Sequence, residues 1–452
     1  MAVRQLPPIP PTVVAPAVGQ RDRSALVLLQ LSRYGPLAAA YAVFQSLVGV
    51  LPDSLSGDAA RYGLAGTAGL SAGALVLLSA LLARSRAEQR NTAQPAPATG
   101  ADRSPGSLAP LLRGTTEALL RSRSTVDDPQ QGRLTGWAHF IEESESGQRP
   151  TAIGTAYGLH TVLTLGGADG LLETSGLVDT LWRLRLPDGG WAARTGTGVG
   201  RPEVTALVLG ALSRVGADSA GIADGVAALE RMTAPGEDPE GLSRTYVVTA
   251  VMRGLLRAMP RSPLLGRLRT ELVAGAVPDP EHGGLLCWGH SLRTGTSSHY
   301  QSLPSPAHTA HAVLALSRTA RVLGEEGRSR HALDQAVAWL VENDRFTPQT
   351  EHLRRPAMPP AVGVDHAMIS HFTAAWVAKA LMSAGPEAVR GTPDLAGPLR
   401  SRLEQAVAEV YAQQRDGVWE WRNDREAQPL WMTYQGLAVL QAWALNGLGT
   451  TR

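Results

Sequence analysis

The chain of 452 residues holds a single cysteine, Cys287, and a single lysine, Lys379. One thiol cannot close an intramolecular disulfide, and it excludes thiolate metal cages and paired-cysteine redox chemistry. With one lysine, nearly every positive charge is an arginine, which together with abundant Ala and Gly points to a GC-rich, bacterial genome. The excess of either charge sign is small, with a net charge of +2, so there is no electrostatic case for nucleic acid as a partner. Aromatic residues are only 5% of the chain, and alternating β-branched runs are nearly absent, so strand signals are weak. What remains is a globular composition, 44% hydrophobic and 18% charged, long enough for two ordinary domains or one large helical one.

The first hundred residues differ from the rest. Residues 1–23 are a Pro-rich leader with Pro7, Pro8, Pro10 and Pro11, expected to be disordered. Within 24–90 lie two apolar stretches. Tyr62 to Ala83 has no charged residue and is long enough to span a bilayer as a helix. Leu37 to Leu51 reaches that length only by extending back through Arg33. Arg21, Arg23 and Arg33 precede the pair and Arg84, Arg86 and Arg90 follow it, while the turn between carries Asp53 and Asp58. The positive-inside rule then puts both ends in the cytoplasm. The expectation is a two-helix membrane hairpin, with a hairpin packed on a soluble domain as the alternative. Residues 91–107 form a Pro/Ala/Gly/Ser linker, which leaves 108–452 as the globular part.

That part carries an internal repeat. Each unit has an outer helix, a loop with Gly and Trp, and an inner helix that starts near Thr-Ala. The clearest copy runs Pro187-Asp188-Gly189-Gly190-Trp191, then Thr205-Ala206 to Leu212. Others have Gly283, Gly284 and Trp288 before Thr309-Ala310, and Asp416-Gly417-Val418-Trp419 before Thr433. Weaker copies begin near Thr155, Thr249 and Thr373, so the threonines recur at intervals of 44 to 64 residues, the length of a helix pair with loops. Six pairs suffice to close a ring. The fold class expected is therefore all-α, an (α/α)6 toroid preceded by the transmembrane hairpin.

The Asp-Gly-x-Trp turns and Thr-Ala helix starts resemble those of the prenyltransferase and terpene-cyclase (squalene-hopene cyclase-like) superfamily of α/α toroids. The resemblance covers most of 130–452 and implies an apolar cavity that handles isoprenoids. It departs at the chemistry. Those cyclases place an Asp-x-Asp-Asp run before Thr-Ala to protonate an alkene. This chain has Arg201-Pro202-Glu203-Val204 there, with Glu203 at the middle aspartate and no supporting pair. Asp127-Asp128 is an isolated pair before the ring. A family-type zinc site would begin at Asp365, but Ala367 stands where its cysteine belongs, so no metal is assigned and any cofactor stays unknown.

The residues themselves offer several candidates. Nine of the eleven histidines fall between His282 and His371. His308 and His311 are three apart and share a helix face, and Asp365, His366 and His371 are expected to begin the next inner helix. The catalytic candidates are Glu203, His308, Asp365 and His371, against the plainer reading of helix-terminal and loop-bonding groups. The substrate-binding candidates are Arg194 and Arg201, flanking a Gly-rich loop, and Trp376, Trp431 and Tyr434 as cavity wall. Three functions fit. The first is a membrane-tethered, terpene-cyclase-like or prenyl-transferring enzyme acting on an isoprenoid or other lipid. The second is a non-catalytic ring that binds a lipid or protein partner at the membrane. The third is a carbohydrate-active toroid, which needs two carboxylates, with Glu203 and Asp365 the only pair to nominate. The partners expected are a membrane and a hydrophobic small molecule or lipid, with the ring on the cytoplasmic side.

Overall fold

A computed structural model describes residues 108–166, 172–193, 200–234, 243–292, 303–356, 364–421 and 427–445. Helices alternate along these residues between an outer and an inner layer. The outer helices are α1 (Leu108–Ser122), α4 (Ser175–Arg183), α6 (Ser219–Met232), α8 (Pro263–Ala274), α10 (Gly327–Glu342) and α12 (Ala396–Ala412). The inner ones are α3 (Ala152–Thr164), α5 (Pro202–Arg214), α7 (Thr245–Ala258), α9 (Pro306–Leu323), α11 (Thr373–Gly391) and α13 (Leu430–Leu445). A short α2 (Ile141–Glu145) precedes the first inner helix. Local chemistry sets the starts. Thr151 caps α3, Asp218 caps α6, Ser262 caps α8 and Ser305 caps α9, while Pro202, Pro263 and Pro306 occupy first-turn positions where no N–H is needed.

The inner helices close on themselves. α3 packs on α5, α5 on α7, α7 on α9, α9 on α11, α11 on α13, and α13 returns to α3. Backbone bonds stitch the two ends of this circle. Ile141 N–H donates to Gln428 C=O at 3.0 Å, and Leu430 N–H to His139 C=O at 3.3 Å.

A tryptophan clip recurs between the layers. The indoles of Trp137, Trp191, Trp288 and Trp419 are fully buried. Each Nε1–H donates to the last turn of the preceding outer helix: to Leu119, Leu181, Leu272 and Val410 C=O at 3.2, 2.6, 2.8 and 2.8 Å. Each Trp backbone N–H donates to the threonine of the following inner helix: Thr155, Thr205, Thr309 and Thr433. One buried indole and one hydroxyl thus satisfy two backbone groups that would otherwise be stranded. Two glycines make room for it, since a Cβ at Gly158 or Gly436 would sit 2.1 Å from the Trp137 or Trp419 ring.

The expectation of an all-α protein, an (α/α)6 toroid with a transmembrane hairpin, is corrected on two points. Among the described residues, four antiparallel β-hairpins sit in the connections: β1 (Ser124–Asp128) with β2 (Gly132–Gly136), β3 (Val277–Asp279) with β4 (Leu285–Cys287), β5 (Gln349–Pro356) with β6 (Val364–His371), and β7 (Gln414–Arg415) with β8 (Val418–Trp419). They lack a β-branched alternation, so pairing rather than propensity makes them strands. Moreover, no helix among the described residues is long and apolar enough to cross a membrane. The segment 24–90, where the hairpin is expected, lies outside the described residues, as do the leader and linker. A membrane location with the ring on the cytoplasmic side is accordingly withdrawn.

Candidate functional site

The longest hairpin brings a carboxylate to the inner ring. In β5 and β6, Gln349 pairs with His371 and Glu351 with Ile369, so Glu351 stands diagonally across from His371 on one face. His308 reaches the same point from the first turn of α9. Its Nε2 lies 3.1 Å from Glu351 Oε1, and His371 Nε2 lies 2.9 Å from the same oxygen. All three side chains are buried, and Glu351 Oε2 has no partner.

A supporting layer orients the imidazoles. Ser305, the cap of α9, contacts His308 Nδ1 at 2.7 Å and also bonds Gln349. His311 Nε2 lies 3.3 Å from His371 Nδ1, and Arg253 NH1 lies 3.0 Å from His311 Nδ1. Arginine only donates. The chain of bonds therefore runs one way: Arg253 to His311 Nδ1, His311 Nε2–H to His371 Nδ1, and His371 Nε2–H to Glu351. Burial alone would raise the Glu351 pKa, but bonds from His308 and His371 outweigh it and hold the carboxyl well below its usual range. Burial pushes the His308 pKa down, only partly opposed by Glu351. Burial, then Arg253, His371, His308 and Lys379, push His311 well below the usual imidazole value.

Ligand atoms of His308, Glu351 and His371 lie within 4.8 Å of one another, so these three residues have the chemistry to hold a divalent cation. The bonding chain weighs against it. A metal on His371 Nε2 would move that proton to Nδ1, against His311 Nε2–H, and the compensating shift would set His311 Nδ1–H against Arg253. The arrangement suits proton transfer better than metal ligation.

Below this cluster the inner helices turn cations inward. Arg253 and Arg257 on α7, Arg318 on α9 and Lys379 on α11 are each only partly exposed, although all stand on inner helices. None of the four is paired with a carboxylate among the described residues. Arg253 lies 4.6 Å and Lys379 5.1 Å from the Trp376 ring centroid, and Lys379 is 5.1 Å from that of Tyr434. Burial above all lowers Arg253 and Arg318 to about 10, with neighbouring arginines adding to the effect and nearby tyrosines opposing it. Burial, then Arg318, Arg253 and Arg257, push Lys379 well below the usual ammonium value. The wall opposite is aromatic: Tyr157, raised to about 12 mainly by burial, lies 6.0 Å from Tyr434, and His160 stacks on Tyr434 at 5.1 Å.

The residues singled out in sequence fall in several places. His308 and His371 meet at Glu351, and Trp376 and Tyr434 border the cations. Asp365 and His366 stand in β6, opposite Arg355 and Arg354, rather than at the start of an inner helix. Glu203 is buried in the first turn of α5, 3.3 Å from buried Arg201. Trp431 is buried in the first turn of α13 and packs on Trp421 at 5.6 Å. Arg194 lies outside the described residues. Sequence reasoning did not single out Glu351, Arg253, Arg257 or Arg318. Glu351 gives no local signal, being 43 residues from His308. The arginines had one: Arg253 and Arg257 are spaced to share a helix face.

No family model and no curated protein matches this chain. Among solved structures, a sugar epimerase from a ruminal bacterium is similar over 75% of this chain and 99% of its own, with 12% identity and a TM-score of 0.48. A polysaccharide lyase is similar over 75% of this chain and 52% of its own, with 14% identity and a TM-score of 0.42. The expectation of a membrane-tethered, terpene-cyclase-like or lipid-binding protein is corrected here, and the interior supplies the physical reason. An apolar hydrocarbon gains nothing from inward Arg253, Arg257 and Arg318, whose desolvation it would force.

Proposed function

We propose that the ring is a chamber that binds a small organic anion and moves protons on it. The observation that carries this reading is the convergence of Arg253, Arg257 and Arg318 on the interior, around Lys379, without a carboxylate partner among the described residues. Unpaired cations in a confined, low-dielectric space are costly, and an anion relieves that cost. Guanidinium groups offer paired donors suited to carboxylate or phosphate. The aromatic faces of Trp376 and Tyr434 give an adjoining surface for a sugar-like or planar body.

At the upper end, His308 and His371 hold one oxygen of Glu351, so a ligand anchored on the arginines would meet its unpartnered Oε2, backed by the two imidazoles. A carboxylate backed in this way can take a proton at one point of a substrate and return it at another. Calorimetric titration with inorganic phosphate, and with a hydroxy-carboxylate such as gluconate, tests the anion site. Binding that weakens at least about tenfold in Arg318→Gln would support it, one lost charge-assisted bond being worth about 1.5–3 kcal/mol. No binding to any anion of a broad panel, or binding indifferent to Arg318, would remove the reading. For proton transfer the readout is deuterium uptake from heavy water into a bound organic acid, abolished in His371→Gln.

A further inference from the structure

Lys379 has an unusual position beyond its charge. It is the only lysine of the chain, and its Nζ makes no hydrogen bond or ion pair with any described residue. An ammonium brings three donors and ordinarily finds acceptors for them. Here its charged neighbours are Arg318, Arg253 and Arg257, all of its own sign. The Trp376 and Tyr434 faces, 5.1 Å away, favour a cation, but two ring contacts are weak beside three full charges in a confined space. The balance leaves a neutral amine with its lone pair free, which matches the depressed pKa. Lysines made nucleophilic in this way sit beside other cations or in apolar pockets.

We propose that Lys379 is a covalent capture site for small anionic carbonyl compounds, forming an imine with an aldehyde or ketone whose carboxylate or phosphate rests on Arg253, Arg257 and Arg318. The inference rests on the anion-binding reading above. The amine nitrogen attacks the carbonyl carbon, and the C=O π pair moves to oxygen. That oxygen takes up the proton released by nitrogen, giving a carbinolamine. The C–O bond then breaks as the nitrogen lone pair forms C=N, and the hydroxyl leaves as water with the second amine proton. One carbonyl and one amine thus become one imine and one water, with no redox partner. The guanidinium groups serve twice, holding the anion and keeping the amine unprotonated.

The full chain is incubated at pH 7 with glyoxylate and sodium cyanoborohydride, whose hydride reduces any imine to a stable secondary amine, and modified peptides are mapped by mass spectrometry. Lys379 is expected to be modified at least about a hundredfold faster than in the urea-unfolded chain, because an ordinary lysine is unprotonated at pH 7 in only about one molecule per few thousand. Inorganic phosphate should slow the folded reaction by competition. Lys379→Met should abolish it, and Arg318→Gln should move its pH onset upward, an effect that simple loss of packing would not produce. Modification no faster than in the unfolded chain, or no response to phosphate, overturns the proposal. The chamber reading has its own readout: phosphate binding by calorimetry with an inert Lys379 leaves that reading standing and defeats this one alone.

Discussion

At Glu351 a single carboxylate oxygen accepts from two imidazoles while its other oxygen stays buried and unbonded. Because the folded-state pKa is lowered, the group contributes stability that is present above its unfolded value, near 4.3, and is lost as pH falls through the lower folded value. Glu351→Gln should remove that part of the acid-unfolding profile and cost about 2–4 kcal/mol at pH 7, read by urea titration at several pH values. His308, His311 and His160 all have lowered pKa values, with burial the first cause for each. For a buried neutral base the unfolded chain binds the extra proton, so stability is full above about pH 6.5 and falls as pH drops below it, each group adding up to about 1.4 kcal/mol per pH unit. Lys379 shows the same linkage on the alkaline side. Holding it neutral among arginines works against folding at pH 7, so Lys379→Met is expected to raise the melting temperature while abolishing capture. Cys287, by contrast, is raised to about 12 by burial and Asp279, and is chemically quiet.

Among the elements, the repeated unit is a helix pair locked by one indole and one hydroxyl. Thr205→Val keeps the shape but strands the Trp191 N–H, at a cost of about 1–3 kcal/mol. Trp191→Phe strands Leu181 C=O and should cost a comparable amount plus packing. Gly436→Ala should be more damaging than a typical helix Gly→Ala, since its Cβ would meet the Trp419 ring at 2.1 Å. Denaturant unfolding of these three variants, ranked against the parent, checks the clip. The Gly, Trp and Thr spacing was legible in sequence because each residue type answers a local demand: space, a buried donor, a short hydroxyl. The hairpins were not legible. β5 reads Gln-Thr-Glu-His-Leu-Arg-Arg-Pro, which announces no strand, and it exists because β6 pairs with it.

For the molecule as a whole, closing the inner ring concentrates arginines that are far apart in sequence. The chain's net charge of +2 conceals this. Replacing chloride by phosphate at constant ionic strength should therefore raise the melting temperature, by the equivalent of about 2.7 kcal/mol at a hundred times the dissociation constant. The gain should vanish in a variant carrying both Arg257→Gln and Arg318→Gln, followed by scanning calorimetry. An equal shift in that variant would trace the effect to the general exclusion of phosphate from protein surface.

Taken alone, the sequence determined the features that depend on neighbours along the chain: the caps and first-turn prolines, the recurrent Trp and Thr positions, the absence of disulfide or thiolate chemistry, and the crowding of histidines between 282 and 371. Tertiary structure decided the site. Which carboxylate meets His308 and His371 depends on hairpin register, and the inward direction of Arg253, Arg257, Arg318 and Lys379 depends on closure of the ring. Both are set by contacts between residues tens of positions apart, whose energies leave no periodic trace in the chain.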